Sequence, residues 1–279
     1  MSKILSKEYL SPNVVQLEIY APLIARKRKA GHFVIIKVGT EGERIPLTIA
    51  KADVEKGTIT LIVQKVGVTS HKVAAMNVGD EVTDVVGPLG NPTHIEKVGT
   101  VLCAGGGVGI APLLPITEAL YNAGNKVISL LAAKTKELLI LEKEIRNCSD
   151  EVIIMTDDGS YGNKGLITIG MEEVFKTRKI DLCVTIGPAI MMKFTSLVAQ
   201  RYAVPALASL NAIMVDGTGM CGACRVRVDG KIRFVCVEGP EFDAYQVDFD
   251  ELLMRLGGYK KEEEKDFKNE LEKSKAGIL

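Results

Sequence analysis

Thr100-Val-Leu-Cys-Ala-Gly-Gly-Gly-Val-Gly-Ile-Ala-Pro112 is the stretch whose reading decides the fold. An apolar strand runs into Gly105, Gly106, Gly107, Val108 and Gly109, and a helix follows from 112 to about 123. Glycines at such a turn let backbone N–H groups close on a phosphate at the positive end of the helix. The run is not the G-x-G-x-x-G fingerprint, because after Gly105 and Gly107 the third glycine place is Ile110. No Lys-Ser/Thr pair follows, so it is not a P-loop either. From the turn alone, simple packing of helix on strand stays open beside phosphate binding.

Toward the C-terminus the same alternation continues. Strands are expected over 127–132, 152–155 and 182–186, and helices over 112–123, 137–146 and after the later strands. Apolar strands alternating with helices make a parallel α/β sheet, placed here at 98–210. Toward the N-terminus the period shortens. Residues 13–19, 32–38 and 58–63 read as strands, punctuated by Gly57, Gly67, Gly79 and Gly87-Pro-Leu-Gly90. That pattern predicts an antiparallel barrel over 1–97, with one brief helix over 70–76. Residues 211–245 form a small cysteine-bearing segment. The last region, 246–279, reads as a charged helical tail with apolar positions Leu256, Phe267 and Leu271. A solvated surface helix is the expectation there, and a partner-binding arm is the alternative. The expected class is thus multi-domain, β plus α/β.

Composition narrows the function. The 279 residues carry 35 Lys+Arg against 35 Asp+Glu, so the balance is neutral and no nucleic-acid footprint is expected. At 47% hydrophobic residues the chain can fill sizeable cores, which excludes an acidic disordered protein. Charges interrupt every apolar run near Met1, and no stretch of 18 uncharged apolar residues occurs. Neither a secretory leader nor a membrane span is therefore expected, and a cytoplasmic location with reduced thiols or metal-bound cysteines is.

Half of the six cysteines cluster. Asp216, Cys221, Cys224 and Cys236 are spaced as D-x4-C-x2-C-x11-C. The plant-type [2Fe–2S] loop is C-x4-C-x2-C…C, so the spacing fits with Asp216 in the first ligand place. A carboxylate is an acceptable oxygen ligand to ferric iron, though harder than thiolate. Gly217, Gly219 and Gly222 allow a tight wrap around a cluster. Zinc and ordinary buried thiols are the rival readings. No histidine lies beyond His94, so zinc would need Asp216 or a distant cysteine. Cys103, Cys148 and Cys183 sit in or beside apolar elements and read as buried residues.

Strand-Gly-Gly-Gly-Val-Gly-Ile-Ala-Pro-Leu-helix, then Thr156-Asp-Asp-Gly-Ser-Tyr-Gly162, then Ile186-Gly-Pro-Ala-Ile-Met-Met192, resembles the ferredoxin–NADP reductase superfamily. The resemblance implies that Gly105–Gly109, Asp157, Asp158, Gly159, Gly187, Pro188 and Met191 line a pyridine-nucleotide site. It also implies a flavin site in the barrel: Arg44, Pro46, Leu47 and Thr48 from Arg44-Ile-Pro-Leu-Thr48, then Ile62, Val63 and Gln64, then Gly67, Thr69 and Ser70. His71 begins a helix beside that turn, where a structural role is the expectation and a flavin contact the alternative, and His32 reads as structural. With the cysteine loop added, the order of parts resembles the electron-transfer subunits of bacterial dihydroorotate dehydrogenase. Asp216, the Arg44-Ile-Pro-Leu-Thr48 segment and the charged tail are closer to the small subunits of NADH-dependent ferredoxin:NADP oxidoreductases.

That resemblance implies FAD, a [2Fe–2S] cluster and NAD(H) as cofactors. It implies a heterodimer with a larger flavoprotein carrying a second FAD and [4Fe–4S] clusters, through which ferredoxin and NADP(H) are handled. A nucleotide- and metal-binding regulatory module on the same fold is the non-enzymatic alternative. The second strand ends Leu131-Ala-Ala-Lys134-Thr-Lys136-Glu137, with no acidic side chain at its tip to hold a ribose 2′-hydroxyl and two lysines able to meet a phosphate, so the residues leave NADH and NADPH open and the choice of NADH follows the resemblance.

Overall fold

The computed structural model describes residues 2–39 and 42–275. Seven antiparallel strands form the first sheet: β1 (Ser2–Ser11), β2 (Val14–Tyr20), β3 (Phe33–Lys37), β4 (Arg44–Asp53), β5 (Thr58–Gln64), β6 (Glu81–Val82) and β7 (Asp84–Leu89). Their order is β6-β1-β2-β5-β4-β3-β7. The two edge strands, β6 and β7, are separated in sequence by Thr83 alone, so the sheet must curl back on itself into a nearly closed barrel. Two helices attend it, α1 (Pro22–Lys27) and α2 (Val68–Ala75). The barrel is filled by Ile4, Leu17, Ile19, Ile36, Ile49, Ile59 and Leu61, all 0% exposed. Each such side chain contributes roughly 1.5–3 kcal/mol.

The second sheet holds β8 (Thr100–Gly106), β9 (Lys126–Ala133), β10 (Glu151–Thr156), β11 (Asn163–Lys164), β12 (Leu182–Ile186) and β13 (Ala206–Ser209), all parallel. Helices α3 (Ile110–Asn122), α4 (Glu142–Arg146), α5 (Ile167–Thr177) and α6 (Ala189–Arg201) connect them. The order β11-β10-β9-β8-β12-β13 reverses direction at β8, so the glycine-rich turn leaves the sheet at its topological switch point. Open α/β sheets bind their ligands at such a crevice.

The chain then forms a hairpin of β14 (Arg225–Val228) and β15 (Lys231–Phe234), a short helix α7 (Val235–Glu238), and β16 (Glu241–Asp243). β16 pairs antiparallel with β13, so the cysteine-bearing segment is tied into the edge of the nucleotide sheet. Two helices end the description, α8 (Phe249–Leu256) and α9 (Lys260–Lys275). The parts share their cores. Val14, Ala50 and Ile62 of the barrel pack with Leu113, Leu114 and Ile116 of α3, while Phe33 and Ile35 join the core beneath the cysteine segment.

Several elements differ from the sequence reading. The helix expected over 137–146 is a single 3-10 turn, Lys136–Leu138, followed by the five-residue α4. Between them Leu141 adopts φ +57°, which breaks a continuous helix, while Ile140 and Leu141 insert into the core. The tail is two helices rather than one, because Gly257 and Gly258 interrupt it. Leu256 packs on the core, and the side chain of Leu271 lies outside the described residues. Among the described residues no helix is long and apolar enough to cross a membrane.

Candidate functional site

A cavity of about 2580 Å³ lies between the barrel, the C-terminal ends of β8, β9, β10 and β12, and the cysteine segment. Small-molecule sites commonly measure about 300–1,000 Å³, so this space can take more than one extended ligand.

On the barrel wall, β4 pairs residue by residue with β3 from Arg44 to Thr48. Alternation along a strand therefore places Arg44, Pro46 and Thr48 on one face and Ile45 and Leu47 on the other. Ile45 and Leu47 pack against the barrel core, while all five reach the cavity lining. The spacing of four between Arg44 and Thr48 is even, so the guanidinium and the hydroxyl share the cavity-facing side. Arg44 Nε is buried without a hydrogen-bond partner. A buried cationic donor left open in this way fits an anionic ligand group such as a flavin pyrophosphate.

Ile62, Val63 and Gln64 of β5 line the adjoining wall, with Val63 also filling the barrel. The turn into α2 completes it. Ser70 Oγ accepts from the N–H of Val66 and of Gly67, both at 2.9 Å, and donates to Gly67 O at 2.9 Å. Its hydroxyl thus shapes the turn instead of reaching for a ligand. Thr69 Oγ1 donates to Glu43 at 2.9 Å. The first-turn N–H groups of α2 are left facing the same cavity, as every helix leaves its first amides. Gly67, Thr69 and Ser70 all line it.

The glycines of the nucleotide turn do different work. Gly107 has φ +57° and nothing within 4 Å of where a Cβ would stand, so its backbone is open to the cavity. Gly109 is needed for packing: a Cβ there would lie 2.6 Å from Ile186 O and 2.7 Å from Gly187 Cα. Gly105 faces α3, where a Cβ would meet Leu113 at 2.8 Å, and it does not line the cavity. Gly106, Val108, Gly187 and Pro188 do. The Met191 side chain lies over Gly106 and Gly187, filling the notch between the ends of β8 and β12.

Asp157 lines the cavity at the tip of β10, but Asp158 and Gly159 stand outside it. The Asp158 carboxylate accepts from Ser160 N–H at 2.9 Å and Oγ at 2.7 Å, and these bonds hold its carboxyl below the usual range. Gly159 supports that turn at φ +79°. His32 is structural as expected, its Nδ1 accepting from Lys29 N–H at 3.1 Å. Of the two lysines noted after the second strand, Lys134 lines the cavity and Lys136 does not. Sequence reasoning missed Phe33, Glu43 and Asn211 of the lining, and it missed α9, whose Phe267 reaches the cavity and His71. None carries a local motif that would have flagged it.

In the cysteine segment, Cys224 and Cys236 Sγ atoms are buried and 3.2 Å apart. Burial, with Cys224 alongside, pushes the Cys236 thiol upward. Backbone N–H groups point at sulfur: Cys236 N–H at Cys224 Sγ, 3.4 Å, and Ala223 N–H at Cys221 Sγ, 3.5 Å. Cys221 is exposed on the same loop. The Asp216 carboxylate accepts from Thr218 N–H at 2.7 Å and from Cys221 N–H at 2.8 Å. The Thr218 bond foremost holds its carboxyl low, so it is anionic. Each oxygen retains lone pairs for a metal.

Among the described residues, no three His, Cys, Asp or Glu side chains close on a single point able to hold one metal ion. The donor set itself fits a thiolate-held cluster. Two free thiols already adjoin, N–H groups face sulfur, and Gly217, Gly219 and Gly222 all have positive φ, between +67° and +88°. Cys221 and Asp216 lie on the same glycine-rich loop, and sites of this kind commonly form together with metal binding. The other cysteines are plain core residues, with Cys103 pushed up to about 12 and Cys148 to about 11 by burial.

Comparison with known proteins bears on these parts. Residues 211–248 match the iron–sulfur cluster binding domain of dihydroorotate dehydrogenase B. The chain is 49% identical to the dihydroorotate dehydrogenase B (NAD(+)) electron transfer subunit homolog of Thermotoga maritima, over 94% of this chain and 93% of that one. It is 33% identical to the electron transfer subunit of Desulforamulus reducens, over 88% and 97%. It also superposes, with a TM-score of 0.93 and 47% identity, on a chain of the NADH-dependent reduced ferredoxin-NADP oxidoreductase structure solved for insights into flavin-based electron bifurcation, covering 97% of this chain and 98% of that one. By identity and coverage, the chain belongs to the family of dihydroorotate dehydrogenase B electron-transfer subunits.

Proposed function

We propose that this chain is the electron-transfer subunit of an oxidoreductase of the NADH-dependent ferredoxin:NADP type, moving electrons between NAD(H), FAD and a [2Fe–2S] cluster. The observation that carries the reading is the continuity of one cavity. Its lining runs from Arg44 and the α2 turn, past Gly107 at the switch point, to Ala223 and Arg225 on either side of Cys224. A hydride donor gives electrons in pairs and an iron–sulfur cluster takes them singly, and a bound flavin supplies the conversion between the two.

The chain's own residues bind and orient. Arg44 and the first-turn amides of α2 hold the flavin phosphates. Gly107 admits the nicotinamide nucleotide's phosphates to the head of α3. Gly106, Gly187 and Met191 form the floor on which the nicotinamide ring is presented. Asp216, Cys221, Cys224 and Cys236 hold the cluster. Hydride transfer needs no side chain to give or take a proton, so neither Asp157 nor any of the three histidines is assigned that role.

The partner in this proposal is a larger flavoprotein with a second FAD and [4Fe–4S] clusters, through which ferredoxin and NADP(H) react. The setting is cytoplasmic, which suits six unpaired cysteines. The family resemblance also supports a second reading, service to a dihydroorotate dehydrogenase. Anaerobic purification of the native complex decides between them. A partner oxidising NADPH with ferredoxin supports the first reading. A partner oxidising dihydroorotate would replace it.

A further inference from the structure

The helix α9 is polar on nearly all sides, yet it is held across the cavity mouth. Its base is fixed by α8, where Asp248 caps the Glu251 amide at 2.9 Å, Glu251 pairs with Arg227 of the hairpin at 2.9 Å, and Arg255 donates to Ala223 O at 3.1 Å. The chain turns at Gly257 and Gly258, and α9 then crosses to the barrel. There Phe267 meets His71 of α2, with ring centroids 4.7 Å apart and planes tilted by 46°. From Lys260 to Asn269, Phe267 is the one half-buried side chain and the others are exposed. A polar helix of this kind is stable when it bridges two bodies, and here it bridges the two walls of the cavity.

What it covers follows from the flavin site, and the inference rests on that reading. A dinucleotide flavin pinned by its phosphates at the first turn of α2 directs its ring toward β5 and Gly107, where the nicotinamide must meet it. Its adenosine half then extends along the part of the cavity lined by α9 residues between Lys260 and Phe267. The chemistry of the strap suits adenosine and not phosphate. Phe267 offers an aromatic face, while Glu262, Glu263, Glu264 and Asp266 line the same cavity with four carboxylates against the single ammonium of Lys260. Carboxylates accept from ribose hydroxyls and repel an anion.

We propose that α9 is a retention strap for the adenosine half of FAD, and that Phe267 makes the site selective for the dinucleotide flavin over FMN. An adenosine-binding strap could also serve the nicotinamide nucleotide, and the experiment separates the two sources. Full-length protein is stripped of flavin and titrated with FAD or FMN by fluorescence, as wild type, Phe267→Ala, Phe267→Trp and a chain stopped after Gly258. Base–aromatic stacking implies that Phe267→Ala raises the FAD dissociation constant roughly 5- to 150-fold. FMN binding should stay unchanged, Phe267→Trp should restore FAD, and the stopped chain should match the alanine variant. FAD affinity unaffected by either change overturns the strap. So does a loss confined to NADH affinity, or faster reduction by NADH with FAD affinity unchanged, which would make α9 a lid. Wild-type protein that takes neither flavin refutes the flavin site itself, a result distinct from any of these.

Discussion

Adding one methyl group at Gly107 or at Gly109 tests the account of the glycine turn, because the two positions should fail differently. At Gly107 the new Cβ meets nothing within 4 Å, and the cost to folding is that of a non-glycine residue at φ +57°. That cost is about 1–2 kcal/mol. The methyl group points into the space where a phosphate must approach the backbone. Losing one charge-assisted hydrogen bond there costs about 1.5–3 kcal/mol, or roughly 10- to 150-fold in the dissociation constant for NADH. At Gly109 φ is −62°, which any residue adopts, but the Cβ would stand 2.6 Å from Ile186 O. Backbone blocks it on that side, so β8 and β12 must separate, at a cost of about 1–3 kcal/mol or more. Thermal unfolding, FAD content, iron content and NADH titration are measured on both variants. Gly107→Ala should keep FAD and iron and lose NADH affinity; Gly109→Ala should unfold at lower temperature and lose its cofactors in proportion. Equal loss of all cofactors in Gly107→Ala, or unchanged NADH binding, would refute the reasoning.

Three further predictions concern other parts. Arg44→Ala with Thr48→Ala should lower FAD occupancy after purification, since a charge-assisted contact is worth about 1.5–3 kcal/mol; stoichiometric, tightly held FAD would move the flavin phosphates elsewhere. Asp216→Ala should give a labile cluster, because it removes both the ligand and the acceptor for the Thr218 and Cys221 amides, while Asp216→Cys should retain a cluster with an altered spectrum. Unchanged spectra and potential in Asp216→Ala would leave only the cysteines as ligands. Glu241 is a mostly buried carboxyl bonded by Thr93 and Ser209, and burial raises its pKa. The folded state therefore holds a proton that the unfolded state releases, and stability falls as pH rises through the folded value. Wild type should gain stability relative to Glu241→Gln as pH falls from neutral toward the ordinary carboxylate range in denaturant titrations, and a constant difference would contradict this.

The parts with a strong local signature were legible in the sequence. The strand–glycine–helix run 100–112 places its turn at the switch point because β8, apolar on both faces, can only be a central strand. The Cys221, Cys224 and Cys236 spacing marks the cluster segment in the same way. What was hidden depended on tertiary context. β1 reads Ser-Lys-Ile-Leu-Ser-Lys-Glu-Tyr-Leu-Ser, with charges that mask alternation, and it is a strand because β2 and β6 pair with it. The break before α4 comes from burying Ile140 and Leu141 rather than from a proline or glycine. At the site, the even spacing of Arg44 and Thr48 becomes meaningful only once β4 is seen to run straight through both. The role of α9 was least legible, since a highly charged helix gives no sign in one dimension that Phe267 will find His71.

The central claim, that one chain joins a nicotinamide nucleotide to a flavin and a cluster, is tested most directly by the colour of the protein itself. The anaerobically purified full-length protein is assayed for flavin, iron and acid-labile sulfide, and its visible spectrum is followed while NADH is added. The account predicts one FAD and one [2Fe–2S] cluster per chain, with flavin and cluster absorption both bleached by NADH. A colourless protein holding zinc, or a flavin that NADH bleaches while the cluster stays oxidised, would contradict it.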